Sequence, residues 1–155
     1  MRFSTIIASV FGIGYFPVAS GTVMSIVAIP LAMIIARHGG GVVLVGASLI
    51  TFIIGIWACG DHVRATGRDD PSECVIDELA GQWLACAGIC LTPVYPSVTE
   101  FALAFILFRL FDILKPWPIS AAEKLPGGLG VMADDMVAGL AAAIIAGALQ
   151  YFRVV

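Results

Sequence analysis

Acidic residues occur in three short clusters, Asp77-Glu78, Asp112 and Asp134-Asp135, inside stretches that are otherwise apolar. An ionised carboxylate at the centre of a bilayer costs at least about 2.5–3.5 kcal/mol. Such groups therefore either lie at one membrane face or line a site that holds a cation. Arg109 and Asp112 are three residues apart and share a helix face, which Lys115 continues. Five carboxylates converging on one place repel one another, and Arg109 with Lys115 supplies only two positive charges. A hard divalent cation with oxygen ligands completes the balance, and Mg²⁺ takes one or a few carboxylates together with waters and phosphate. Arg and Lys beside such a metal suit a phosphate, the first as a planar fork and the second as a point charge. No histidine belongs to the set and no cysteine is placed to attack. Metal-assisted hydrolysis by water is then the economical chemistry, with an aspartyl-phosphate as the alternative.

Taken singly, each cluster has a plainer account. Arg109 and Asp112 can snorkel and pair at a membrane boundary, and acidic pairs at helix starts complement the helix dipole. Convergence is what these accounts leave unexplained, and the elements decide whether it occurs. Residues 22–37 and 41–60 read as two apolar helices parted by Arg37, His38 and three glycines, with Pro30 able to kink the first. Residues 61–73 form the one strongly polar stretch and read as an aqueous loop. Helices follow over 75–91 and 98–115, the latter stopped by Pro116. A glycine-rich loop, Pro126 to Gly130, leads into a last helix over 134–152. Its backbone amides could approach a phosphate. Alternating these helices up and down brings Thr22, Ser25, Asp77, Glu78, Arg109, Asp112, Lys115, Asp134 and Asp135 to one side.

Composition agrees with a membrane setting. Of 155 residues, 60% are hydrophobic and 12% charged, about half the charge of soluble domains, and the mean hydropathy is +1.02. The expected fold is all-α: a small integral-membrane helical bundle, with about four embedded helices plus a short N-terminal segment, forming one domain over 1–155. The start of the chain, Arg2 through Val18-Ala19-Ser20, has the outline of a signal peptide. One basic residue and the interruptions at Gly12 and Gly14 favour a retained or re-entrant segment. Arg64, Arg68, Lys115 and Lys124 fall on the polar side and Arg37 and Arg153 opposite, which makes the polar side cytoplasmic. A net charge of −3 gives no footprint for nucleic acid. Cys59, Cys74, Cys86 and Cys90 lack zinc-site spacing and read as packing residues.

Three ordered motifs, Ile76-Asp77-Glu78-Leu79-Ala80-Gly81-Gln82-Trp83, Phe108-Arg109-Leu110-Phe111-Asp112-Ile113-Leu114-Lys115-Pro116-Trp117-Pro118 and the run Gly128 to Gly139 with Asp134-Asp135 at its centre, closely resemble bacterial phosphatidylglycerophosphatase A. The resemblance implies a Mg²⁺-dependent lipid phosphatase of the bacterial inner membrane. Such an enzyme removes the terminal phosphate of phosphatidylglycerophosphate during phospholipid synthesis, and its fold is a helical bundle around a central helix. It implies Asp77, Glu78, Asp112, Asp134 and Asp135 as the metal and catalytic group, with Glu78 and Asp135 the preferred direct ligands. Arg109 and Lys115 would hold the phosphate, and Thr22 and Ser25 would be additional donors. Membrane lipids are the implied surroundings, and a homo-oligomer is compatible with all of this. The family commonly has a proline and a second glycine where this chain has Ser20 and Met24, which bears on the shape of that loop. Two other classes compete. An ion-coupled transporter would place carboxylates at mid-depth on both sides of a pathway. A CDP-alcohol phosphotransferase would carry an Asp-x-x-Asp-Gly-x-x-Ala-Arg pattern, absent here.

Overall fold

The apolar stretches do become helices, and no strand interrupts them among the residues described, 2–154 of a computed structural model. The elements are α1 (Phe3–Ala8), α2 (Ser20–Thr66), α3 (Ile76–Cys90), α4 (Val98–Leu114), α5 (Ile119–Ala122) and α6 (Gly128–Tyr151), with a 3₁₀ turn at Ile13–Tyr15. The two expected apolar helices both form, as the two arms of α2 on either side of a break at the glycines. The backbone of α2 leaves helical geometry at Gly40 (φ 70°, ψ −175°) and not at Pro30. The arms 20–39 and 41–66 are about 30 and 39 Å long at 1.5 Å per residue. The second arm also runs past its expected end, so Asp61, His62 and Arg64 stand on helix rather than in a loop. Nothing in 61–66 breaks a helix; Gly67, left-handed at φ 69°, closes it by donating to the Val63 carbonyl.

Helix α4 begins with a reciprocal cap. The Ser97 hydroxyl accepts from the Glu100 amide, and the Ser97 amide donates to the Glu100 carboxylate at 2.6 Å. Helix α6 starts at Gly128, six residues before Asp134, so the glycine-rich loop is largely its first turn. Asp134 and Asp135 thus lie in the second turn, beyond the reach of a dipole argument, which falls off within the first. Asp77 and Glu78 do occupy the first turn of α3.

Small residues explain why α3 lies at the centre. Eleven of its fifteen residues are buried, among them Ala80, Gly81, Ala85 and Ala87. The two arms of α2 straddle it: Met24 and Ala28 meet Val75 and Leu79, Ala36 and Leu44 meet Ile89 and Cys90, and Ala58 and Cys59 meet Cys74 and Ile76. Helix α4 runs against α3, with Phe101 in the cluster of Ile89 and Phe108 in that of Ala85. Helix α6 runs along it, from Met132 beside Ile76 to Ala146 beside Cys90. The starts of α2, α3 and α6 therefore share one end of the bundle with the finishes of α2 and α4. All four cysteines are free and buried.

Among the described residues, α2 and α6 alone are long and apolar enough to cross a membrane. At about 22 and 25 Å, α3 and α4 fall short of a hydrocarbon core of about 30 Å.

Glycine contacts set the distance between α3 and α6. A Cβ on Gly88 would stand 2.3 Å from the Ala143 carbonyl oxygen, and one on Gly139 would stand 2.4 Å from that of Gly81. A Cβ on Gly46, by contrast, would meet nothing within 4 Å. Gly88→Ala should therefore destabilise the protein by about 1–3 kcal/mol through overpacking. Gly46→Ala should leave stability unchanged or raise it by about 1 kcal/mol or less. Thermal unfolding of both variants in detergent checks this, and equal midpoints would refute the role given to the crossing.

Candidate active site

The polar ends of four segments enclose a cavity of about 930 Å³. Its walls come from the start of α2 (Ser20, Gly21, Thr22), the 69–74 loop, the first turn of α3, the end of α4, the 123–127 loop and the early turns of α6. All five predicted carboxylates line it, as do Arg109, Lys115 and Thr22. Ser25 does not. It is fully buried and its hydroxyl donates to the Gly21 carbonyl one turn back, so it braces the helix start instead of facing a ligand.

The five acids divide by their partners. Asp112 pairs with Arg109 on the same face of α4. Asp134 accepts from Lys115 Nζ at 2.8 Å, and its other oxygen accepts from the Asp135 amide at 3.0 Å. The remaining three, Asp77, Glu78 and Asp135, offer ligand atoms that all lie within 4.8 Å of one another. In each of them one buried oxygen (Asp77 Oδ1, Glu78 Oε2, Asp135 Oδ2) has no hydrogen-bond donor. Like charges at that separation repel by about 3 kcal/mol per pair at an effective dielectric of 20. Three such pairs rival the whole stability of a domain, about 5–15 kcal/mol. A cation or protons must therefore sit among them. Three hard oxygen donors with no competing base fit a divalent cation of the Mg²⁺ type.

Helix contacts hold this trio. A Cβ on Gly21 would strike Glu78 Oε1 at 1.9 Å, so the glycine lets α2 close over that carboxylate. A Cβ on Gly81 would stand 2.6 Å from the Asp135 carbonyl oxygen and as close to the Phe108 ring. The glycines of the expected phosphate loop have a similar use. Gly128 lies against the Ile56 carbonyl and Gly130 against that of Leu125, so close packing accounts for them.

Lys115 ends α4 in a left-handed conformation (φ 44°, ψ 54°), which costs a non-glycine residue of order 1–3 kcal/mol and marks functional sites. Its ammonium bridges Asp134 and Glu123, the latter at 2.6 Å. Burial alone would lower its pKa, but these two carboxylates outweigh burial and raise it, so the side chain stays charged. Arg109 keeps a buried Nε–H without a partner, a donor available to an anion. Sequence reasoning passed over Glu123, since one acid in a short loop carries no signal. Asp69 and Asp70, exposed in the loop before α3, line the cavity as well. Trp83 donates from its indole to the Ala28 carbonyl and belongs to the core, whereas Trp117 is exposed.

The sequence model of the phosphatidylglycerophosphatase A family matches residues 6–150. The chain belongs to the phosphatidylglycerophosphatase A family. Its relatives include the Phosphatidylglycerophosphatase A of Haemophilus influenzae, 35% identical over 92% of this chain and 85% of the relative. That of Escherichia coli is 32% identical over 92% of this chain and 78% of the relative. A protein of Bacteroides thetaiotaomicron with the provisional name phosphatidylinositol-3-phosphatase is 33% identical over 87% and 86%. No solved structure matches. Family membership makes the chain an enzyme, a phosphoric monoester hydrolase.

One wall of the cavity depends on the contacts of Glu73, in the loop between α2 and α3. Glu73 accepts from His62 Nε2 at 3.0 Å and pairs with Arg68, fixing the loop that leads to Asp77. Burial opposes ionisation of Glu73, but the bonds from His62, its own backbone amide and Arg68 outweigh it and hold the carboxyl below its ordinary value of 4.5. Because the folded pKa is depressed, this stabilisation is present above the unfolded value and is lost as pH falls through the folded one. Glu73→Gln should melt lower than the native chain at pH 7, and the gap should narrow and close as pH falls below the ordinary carboxyl value of 4.5. A gap independent of pH, measured by thermal unfolding across that range, would refute it.

Proposed function

We propose that this protein hydrolyses the terminal phosphate of phosphatidylglycerophosphate, giving phosphatidylglycerol and inorganic phosphate, and that it requires Mg²⁺ held by Asp77, Glu78 and Asp135. The observation that carries the reading is the trio of carboxylates, each with one buried oxygen that has no donor, set in one cavity with Arg109 and Lys115. We also propose a multi-pass arrangement in the bacterial inner membrane with the cavity on the cytoplasmic side. Its support is the number of large apolar side chains left exposed on the helices, among them Ile50 and Ile53 on α2, Ile106 and Ile113 on α4 and Ile144 on α6. Apolar exposure on that scale suits lipid. The 1–155 chain acts as one domain.

The side chains divide the work as follows. Arg109 donates its unpaired Nε–H, and Lys115 its charge, to the phosphoryl oxygens, opposing the negative charge that grows there in the transition state. Thr22, with the amides at the start of α2, lies where an anion would be favoured. A bound divalent cation supplies Lewis acidity and charge neutralisation. Asp112 has one oxygen on Arg109 and the other left to accept, so it takes the proton of the attacking water. Attack forms the new P–O bond to the water oxygen and breaks the terminal P–O bond; the leaving glycerol oxygen takes a proton from solvent and stays on the lipid as a hydroxyl, and Asp112 returns its proton to solvent. Both oxygens of Asp134 are engaged, which suits it to hold Lys115 in place.

Purified enzyme should release phosphate from phosphatidylglycerophosphate with Mg²⁺ and not with a chelator. Phosphatidylinositol 3-phosphate, the substrate class in the Bacteroides relative's name, and phosphatidic acid are the comparison lipids. Asp135→Asn and Asp77→Asn should abolish turnover and weaken Mg²⁺ binding by calorimetry while leaving expression intact. Turnover near the native rate in both would remove the metal site. Lys115→Ala should lower kcat/KM by about 2–4 kcal/mol in transition-state terms, and a loss under tenfold would refute its role.

A further inference from the structure

The cavity holds more cations than the reacting phosphate needs. Three basic side chains line it: Arg109, Lys115 and Lys124. The first is paired with Asp112, and the second bridges Asp134 and Glu123. Lys124 makes no ion pair among the described residues, although eight carboxylates line the same cavity, from the exposed Asp69 to the buried Asp135. Its backbone is not loose. The Lys124 amide donates to the Ala121 carbonyl, and the preceding residue, Glu123, is fastened to Lys115 at 2.6 Å. An exposed lysine thus lines the cavity one residue along the chain from the bridge that reaches Asp134.

The substrate of the proposed reaction has a matching feature. Phosphatidylglycerophosphate carries two phosphates: the terminal monoester that is cleaved, and a diester that joins the head group to the diacylglycerol. A monoester held among Arg109 and Lys115 would leave the diester one glycerol unit away, on the side of the exposed cavity residues, which include Asp69, Asp70 and Lys124. The diester keeps one negative charge at neutral pH, which Asp69 and Asp70 would repel. A cation there offsets that repulsion and contacts the diester oxygen.

We propose that Lys124 is a specificity-determining residue that binds the phosphodiester of the substrate and so selects lipids with a second phosphate beyond the one removed. The proposal rests on the phosphatidylglycerophosphatase reading. An ammonium–phosphate contact made equally in the ground and transition states changes KM and leaves kcat alone, which separates it from Arg109 and Lys115.

The test uses the full-length enzyme in mixed micelles with Mg²⁺. Lys124→Gln should raise KM for phosphatidylglycerophosphate about tenfold, the factor that 1.4 kcal/mol makes, with kcat within about twofold. Inorganic phosphate can occupy only the monoester position, so its inhibition constant should not change. Lys124→Arg should restore KM. An unchanged KM in Lys124→Gln overturns the subsite, and so does an equal rise in KM and in the phosphate inhibition constant. A fall in kcat at constant KM also overturns it, by assigning Lys124 to support of the Glu123–Lys115 bridge. A native enzyme that releases no phosphate from this lipid overturns the functional reading itself, and the subsite with it.

Discussion

Everything at the polar end depends on forcing Asp135 against Asp77 and Glu78. Charge opposes that approach, so packing must impose it. The glycines of α3 and α6 are the means: Gly81 and Gly139 interlock near the carboxylates, and Gly88 meets Ala143 further along. Hydrophobic burial along the rest of α3, together with the flanking arms of α2, supplies the free energy that holds the acids together. A cation relieves the repulsion once bound. Stability and affinity are thus linked, because a group that binds only the folded form adds its binding free energy to the fold.

A second constraint is that the cations near this trio are already committed. Arg109 and Lys115 each pair with an acid outside the trio, Asp112 and Asp134, and among the described residues neither forms an ion pair with the trio itself. The cavity therefore keeps two distinct zones, one of oxygen donors in search of a cation and one of donors able to receive an anion. A phosphate ester placed across the boundary satisfies both. The strained backbone of Lys115 belongs to this division: a helix end that turned at an ordinary glycine would have no side chain to reach Asp134.

Much of this was readable in the sequence. The motifs named all the residues of the two zones, and alternating helix direction brought them to one end. Helix boundaries were less readable, for physical reasons. The glycines at 127–130 have a loop's composition, yet Gly128 starts α6 because the Ile56 carbonyl and Gly60 of a helix remote in sequence leave no room for a side chain. The polar residues at 61–66 look aqueous, but they extend α2 because Asp61 and His62 find partners in Ser4, Thr5 and Glu73. Ser25 looked like a ligand group and is a buried brace. In each case a tertiary contact, invisible to local pattern, overrode composition.

The two departures from the family's usual pattern at the start of α2 show how local sequence can change while the site stays put. Where the family commonly has proline, Ser20 donates its hydroxyl to the Ser72 carbonyl at 3.0 Å. That bond ties the helix start to the loop preceding Asp77. Where a glycine is usual, Met24 is fully buried against Val75 and Leu79. Both replacements thus make contacts to the same short segment, 72–79, that carries two of the three trio carboxylates. Rigidity lost with a fixed proline φ is offset by a hydrogen bond across the cavity wall, and a methionine, flexible enough to fill an irregular gap, takes up the space beside it. Gly21 and Thr22 lie between the two changes and remain where the family has them. That is expected if the constraint acts on contact with Glu78 and on access to the cavity, and not on the loop's own composition.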